Sequence, residues 1–270
     1  MNHDAREAIE EIAKRLWSAQ FSGVSCEAPS KDWPQLSVEM AYAVQHRLMT
    51  WRQTKRGLQG RMARPVGRKV GLTSPAVQAW LNVSEPDFGV LLDDMVVLDS
   101  GVVPTSVLLQ PRAEAEVAFV LGRELKGPGV TPADVIRATD HVLPAIEIID
   151  SRIADWKITY EDTICDNASS GLFVLGSRPR LLSELDLRLS GMALRKNGRV
   201  VSTGAGAACL GHPINAVVWL ANKLGEFGQG LKEGEIVLSG ALGPVIDVKA
   251  GDFVRADIAG LGAVTIRFGE

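Results

Sequence analysis

The run "RAEAEVAFV", residues 112 to 120, carries two carboxylates, Glu114 and Glu116, in a segment with the alternation of a β-strand. Ala113, Ala115, Val117 and Phe119 fall on one side, and Glu114, Glu116, Ala118 and Val120 on the other. Side chains two residues apart share a face at roughly 7 Å, so two carboxylates there repel unless water or a cation lies between them. A strand whose first half is solvated accounts for the pattern equally simply. A third carboxylate, Glu147, sits among Ala and Ile residues in "VLPAIEIIDSR", 142 to 152, a run that reads as a buried strand. A buried carboxylate is costly, or becomes protonated, unless it has a partner. An Arg would serve as a structural partner for Glu147, and Asp150, on the opposite strand parity, fits a turn. Taken together, Glu114, Glu116 and Glu147 form a three-carboxylate set on two strands, suited to Mg²⁺ or Mn²⁺ with positions left for water or substrate.

A second group of candidates lies on either side of these strands. "GRKVGLTS" (67 to 74) puts Arg68 and Lys69 between two glycines at the start of an apolar run, and "SEPDFG" (84 to 89) reads as a turn with Asp87 just before Phe88. A lone Lys or Asp in a loop is ordinarily solvated. "DNASSG" (166 to 171) combines hydroxyls with a glycine and could bind a carboxylate, or be a plain turn into the strand "LFVLG". No G-x-S-x-G elbow occurs and Cys165 has no obvious His partner, so nucleophilic catalysis is unsupported. "STGAGAACLG" (202 to 211) fits neither a dinucleotide nor a P-loop pattern and reads as a tight loop over a site.

Helices come first along the chain. An acidic amphipathic pattern opens it, and Leu36, Met40, Ala43, Val44, Arg47, Leu48 and Trp51 recur at helical spacing behind Ser37 as N-cap, with "APSKDWPQL" between the two. From about residue 66 short β-type runs follow: 67–72, 95–98, 115–121, 142–149, 171–175, 187–195, 199–203, 235–239, 244–248, 252–258 and 263–268. "LRKNGRVVS" carries an Asn-Gly hairpin signal, and "HPINAVVWLANKLGEFG" (212 to 228) is one late helix with Pro213 early and Gly225 or Gly228 near its end. So many strands with so few helices between them predict an α+β chain: a helical N-terminal region, 1–65, then a β-rich catalytic domain, 66–270, built as a mixed, mostly antiparallel sheet or roll.

Bulk composition narrows the function. A formal net charge of −3 over 270 residues gives no reason to expect nucleic acid, and the locally basic "KRGLQGRMARPVGRK" (55 to 69) reads as a solvated loop. No apolar run approaches the length of a membrane span, and no signal peptide opens the chain. Cys26, Cys165 and Cys209 have no metal-type spacing, which predicts free thiols in a reducing cytoplasm. With four His and no HExxH or CxxC, a metal would have to be held by oxygen ligands.

"GRKVGLTS", "EPDFG", "LQPRAEAEVAFVLG", "LPAIEIIDSRIADW", "DNASSG", "GAGAACLGHPINAVVWLA" and "LSGALGP" closely resemble, in order and spacing, the 2-hydroxypenta-2,4-dienoate (2-keto-4-pentenoate) hydratases of the fumarylacetoacetate hydrolase superfamily. The resemblance runs from about residue 36 to the end; the first 35 residues match nothing usable. It implies a mixed β-roll around a divalent metal, Mg²⁺ or Mn²⁺, with Glu114, Glu116 and Glu147 on the metal ligands. It puts Lys69 and Asp87 on the catalytic pair and Ser169 on a substrate-contacting serine. The implied reaction is hydration of 2-hydroxypenta-2,4-dienoate to 4-hydroxy-2-oxopentanoate in the meta-cleavage catabolism of aromatic compounds. A lysine acting as base there would need a lowered pKa, which burial and a nearby cation could supply. The resemblance also implies a homo-oligomer, pentameric or decameric, with a complex with a decarboxylase or aldolase of the same pathway as a further expectation. The sister 4-oxalocrotonate decarboxylases share the Lys and the E-x-E motif; Asp87 and Ala241 favour the hydratase over them. A non-catalytic partner of such a decarboxylase would have no need for Lys69, Asp87 and the carboxylates.

Overall fold

The two longest strands of the described chain are the two that carry the carboxylates. The computed structural model describes residues 3–55, 60–81 and 83–269, so residues 56–59 of the basic stretch lie outside the described residues. The helices are α1 (His3–Ser22), α2 (Pro29–Asp32), α3 (Val38–Thr54), α4 (Pro75–Leu81), α5 (Pro132–Ala138), α6 (Tyr160–Cys165) and α7 (Pro213–Glu226). The first strands are β1 (Pro65–Gly71), β2 (Asp87–Leu92), β3 (Val96–Val97), β4 (Val102–Pro104), β5 (Pro111–Leu121), β6 (Thr139–Asp150) and β7 (Ser170–Leu175). The rest are β8 (Gly191–Lys196), β9 (Arg199–Ala205), β10 (Ile236–Leu238), β11 (Ile246–Asp247), β12 (Phe253–Ile258) and β13 (Gly262–Gly269).

An eight-stranded sheet runs β2-β1-β10-β5-β6-β7-β3, with β11 also paired to β5, and a five-stranded sheet runs β4-β13-β12-β8-β9. The β1–β10, β3–β7 and β4–β13 pairs are parallel and the others antiparallel, so the architecture is the expected mixed α+β. Strands β5 and β6 are buried on both faces along most of their length. One face carries Ala113, Ala115, Val117, Ile146 and Ile148, all at most 1% exposed. The other must therefore be an enclosed polar site rather than a solvated surface. The Asn197-Gly198 turn between β8 and β9 has both residues at positive φ, as a two-residue hairpin loop requires.

Some sequence expectations needed revision. Only the start of "SEPDFG" is a turn: Asp87 is the first residue of β2, whose apolar run is buried almost throughout and so lacks the alternation that marks a half-buried strand. Strand β4 was not foreseen, and the run expected from 187 begins at Gly191. "STGAGAACLG" is the end of β9 and the turn after it. A Cβ on Gly204 would lie 1.8 Å from the Leu242 carbonyl oxygen, so close backbone approach explains this glycine. No helix among the described residues is long and apolar enough to cross a membrane.

The N-terminal helices share one apolar core with the sheet and brace the edge strand that carries Asp87. Ser37 caps α3 by accepting from the Met40 amide. Further along α3, Tyr42 stacks on Phe88 with ring centroids 4.5 Å apart. The buried Gln45 amide donates to the Phe88 carbonyl at 2.8 Å and the Ile164 carbonyl at 3.2 Å, tying α3, β2 and α6 together. Gln45→Met fills the same space but leaves two buried carbonyls without donors. It should lower the unfolding free energy by about 2 kcal/mol, read as a lower urea midpoint at unchanged slope.

Candidate active site

Strand register alone brings the candidate residues to one face. Residues opposite each other in a ladder point the same way, as do residues two apart in one strand. Glu114 is opposite Glu147, and Glu116, two residues on, is opposite Ala145. Ala118 continues that face and is opposite Leu238 of β10, which is opposite Lys69 of β1. Gly71, two residues beyond Lys69, is opposite Asp87 of β2. Asp87, Lys69, Glu116, Glu114 and Glu147 thus line one surface across five neighbouring strands.

Side-chain oxygens of Glu114, Glu116 and Glu147 all lie within 4.8 Å of one another. Glu116 and Glu147 are fully buried, Asp87 and Lys69 nearly so, and Glu114 half-buried. Glu116 Oε2 accepts from the Gly240 amide at 2.7 Å. Glu116 Oε1, both oxygens of Glu147 and Asp87 Oδ1 are buried with no hydrogen-bond partner. The Lys69 ammonium lies 3.3 Å from Glu147 Oε2, an ion pair without hydrogen-bond geometry. Glu147 therefore has a cationic partner, a lysine rather than an arginine.

One lysine faces four carboxylates, three of them buried and Glu114 half-buried, and the electrostatics record the deficit. Burial, then repulsion from Glu147, pushes Glu114 up to about 7. Burial and its neighbours Glu147 and Glu114 hold Glu116 well above the usual carboxylate range. Burial also raises Asp87, against the pull of Lys69. For Lys69 burial works against the charge, but Glu147, Asp87, Glu114 and Glu116 together outweigh it and raise its pKa. The lowered pKa of a basic lysine is not what these groups alone produce: without a cation Lys69 is an ammonium. Orphaned oxygens converging on one point, all hard donors, fit a divalent cation such as Mg²⁺ or Mn²⁺ held by Glu114, Glu116 and Glu147.

The neighbours of Asp87 were largely invisible in the sequence. A Cβ on Gly71 would come 2.2 Å from Asp87 Oδ1, so the glycine makes room for the carboxylate. Thr163 of α6 lies 3.5 Å from Asp87 Oδ2 and 3.2 Å from Ser169 Oγ. Ser169 is set by a turn in which Asn167, Ala168 and Ser169 are all left-handed, with φ of 57°, 53° and 51°. Three such residues in a row are strained. Asn167 holds the turn to β2 by accepting from the Val90 amide at 2.8 Å and donating to its carbonyl at 2.9 Å. Arg152, bonded to Asp166 at 2.6 Å, holds it from the other end. Asp150 is not a simple turn residue: it is buried and accepts from the Leu109 and Gln110 amides, outside the site. An open hollow of about 1030 Å³ elsewhere, lined by Arg178, Arg180 and Asp257 among others, contains none of these groups, so hollow size is no guide to the chemistry here.

A cation bound by this set must displace protons. Burial and mutual repulsion raise Glu114 and Glu116, Glu114 to about 7, so the set holds more protons at pH 6 than at pH 8. Apparent Mg²⁺ or Mn²⁺ affinity by titration calorimetry should fall by at least about tenfold from pH 8 to pH 6, with proton release on binding. A pH-independent affinity would contradict the assignment.

Residues 66–268 match the family model described as Fumarylacetoacetate (FAA) hydrolase C-terminal. The chain is 51% identical over 260 residues to a 2-keto-4-pentenoate hydratase of Paraburkholderia xenovorans (strain LB400), covering 96% of this chain and 94% of that one. It is 43% identical over 267 residues to a 2-hydroxyhexa-2,4-dienoate hydratase of Comamonas testosteroni, covering 98% and 99%. Among solved structures it is similar to a 4-oxalocrotonate decarboxylase from Pseudomonas putida G7 complexed with magnesium and adipate. That likeness has a TM-score of 0.91 at 39% identity, over 97% of this chain and 98% of that one. The helical start, the mixed sheets, the carboxylate face and these likenesses agree: the chain belongs to the fumarylacetoacetate hydrolase family.

Proposed function

We propose that this chain is a divalent-metal-dependent hydro-lyase that converts 2-hydroxypenta-2,4-dienoate to 4-hydroxy-2-oxopentanoate, a step in the meta-cleavage breakdown of aromatic compounds. The observation that carries the reading is Asp87, a buried carboxylate with one partnerless oxygen on the same sheet face as Lys69 and three clustered glutamates. Identity of 51% to a 2-keto-4-pentenoate hydratase, against 39% to the structurally similar 4-oxalocrotonate decarboxylase, supports hydration over decarboxylation.

Bound by Glu114, Glu116 and Glu147, a divalent ion would supply positive charge for the substrate carboxylate and C2 oxygen. Lys69, held as an ammonium beside Glu147, adds a second positive charge to that end of the substrate and a proton that can be delivered to carbon. The first stage is ketonisation: a proton adds at C5 and the C2 hydroxyl loses one, giving the 2-oxo-3-enoate. In the second stage Asp87 takes a proton from water through Oδ1, and the water oxygen forms a bond to C4. The C3–C4 π pair moves toward C2, the C2 oxygen takes up negative charge, and a proton then returns at C3. Ser169, on the turn that faces β2, is the substrate contact we assign beside Asp87. We also assign the enzyme to the cytoplasm, in keeping with its free cysteines, and to a homo-oligomer.

The test is an assay on metal-stripped protein supplied with the dienoate generated in situ, with Mg²⁺ or Mn²⁺ added and the product identified by NMR. Metal-dependent 4-hydroxy-2-oxopentanoate is expected, and Asp87→Asn should lower kcat by about 10²- to 10⁴-fold while cation affinity stays within about threefold. CO₂ release from 4-oxalocrotonate with little hydration would point to the decarboxylase reading instead. A near-normal kcat for Asp87→Asn would remove Asp87 from the mechanism.

A further inference from the structure

Thr163 lies between two pinned residues. Asp162 accepts from the Thr159 amide at 2.9 Å and from the Ser30 amide and hydroxyl at 2.9 and 2.6 Å, and the Ile164 carbonyl is held by Gln45 at 3.2 Å. A threonine within a helix commonly bonds back to the carbonyl one turn earlier. This one turns its hydroxyl instead to Asp87 Oδ2 and Ser169 Oγ, at 3.5 and 3.2 Å. It is buried, as are both partners.

A hydroxyl has one proton to give and lone pairs to receive with. An ionised carboxylate can only accept. With Asp87 ionised, as a base must be, Thr163 spends its proton on Asp87 Oδ2. Ser169 can then bond to Thr163 only by donating, which leaves the Ser169 oxygen with lone pairs alone to offer the site. Asp87 Oδ1, partnerless and buried, is likewise an acceptor.

We propose that Thr163 is a positioning residue that makes Ser169 an acceptor, so that Asp87 Oδ1 and Ser169 Oγ together bind the two hydrogens of the attacking water and turn its lone pair toward C4. This rests on the hydratase reading and deepens it: Ser169 contacts the water that becomes the C4 hydroxyl, rather than a substrate carboxylate. The proton on the Asp87 side goes to Asp87 as the C4–O bond forms; the one on the Ser169 side stays as the hydroxyl proton of the product.

Only the second stage of the reaction uses this water, so its two stages separate the proposal from a structural role. Thr163→Val, Thr163→Ser, Ser169→Ala and the Thr163→Val/Ser169→Ala pair would be assayed with Mg²⁺ or Mn²⁺ in D₂O. Deuterium at C5 reports ketonisation, and the C4 hydroxyl reports hydration. Thr163→Val should slow hydration about 10- to 100-fold, with ketonisation and cation affinity within threefold of wild type. Thr163→Ser should restore hydration to within threefold. The double variant should be no slower than about threefold below the slower single one, because both act through one bound water. Hydration by Thr163→Val at the wild-type rate, equal loss of both stages, no rescue by serine, or losses that multiply would each overturn the proposal. Should Thr163→Val fail to fold, Ser169→Ala carries the same step-selective expectation, with Thr163→Ser as the near-wild-type control. Wild-type protein that neither ketonises nor hydrates the dienoate removes the hydratase reading and this proposal with it. Wild-type protein that does both, with variants unaffected, removes only the role of Thr163.

Discussion

Four carboxylates and one ammonium are held together on a single buried sheet face, and much of the rest of the structure around them follows from keeping that arrangement. Like charges within 4.8 Å of one another repel by at least about 3 kcal/mol per pair at an effective dielectric constant of ~20. Such a cluster persists in a fold only if protons or cations neutralise it. Lys69 supplies one positive charge, and protonation, visible as raised pKa values at Glu114 and Glu116, answers part of the remainder. A divalent cation answers it better, because it replaces several protons at once and satisfies buried oxygens that have no other partner.

Rigidity around this face comes from elements that contribute no chemistry. The central pair β5 and β6 is buried on both sides, which fixes the register placing Glu114 opposite Glu147. Strand β2 lies at the sheet edge, where unsupported strands are weakest, and three polar anchors secure it: Gln45 on the Phe88 carbonyl, and the two ends of the Asn167 amide on Val90. The strained turn 167–169 is tolerated because Arg152 and Asn167 over-determine it. The N-terminal helices thereby bear on function without reaching the substrate, through the position of Asp87.

The carboxylate face was legible in the sequence because strand periodicity is exact enough to put Glu114 and Glu116 on one side, and because a lone Glu among isoleucines demands a partner. The hairpin at Asn197-Gly198 and the capped helix after Ser37 were legible for the same reason: their signals are local. Strand β2 was not, since a short run buried on both faces has no alternation and follows strong turn residues. Thr163 meets Asp87 across 76 positions of chain from a six-residue helix, and the Gly240 amide that binds Glu116 is backbone, common to nearly every residue type. Neither leaves a mark in composition or spacing. Lys69 and Asp87 were picked out through family resemblance, and geometry adds what resemblance does not: the lysine is charged in the absence of a cation, and Asp87 keeps one oxygen free.

The claim on which the account turns is that this carboxylate cluster is built around a cation. The direct measurement is a crystal grown or soaked with Mn²⁺, with anomalous scattering recorded near the manganese edge. One strong anomalous peak is expected within about 2.5 Å of oxygens from Glu114, Glu116 and Glu147, with the partnerless oxygens of Glu116 and Glu147 taken up as ligands or bonded to coordinated water. Manganese bound elsewhere only, with the three glutamates left as proton-sharing partners of one another and of Lys69, would contradict it.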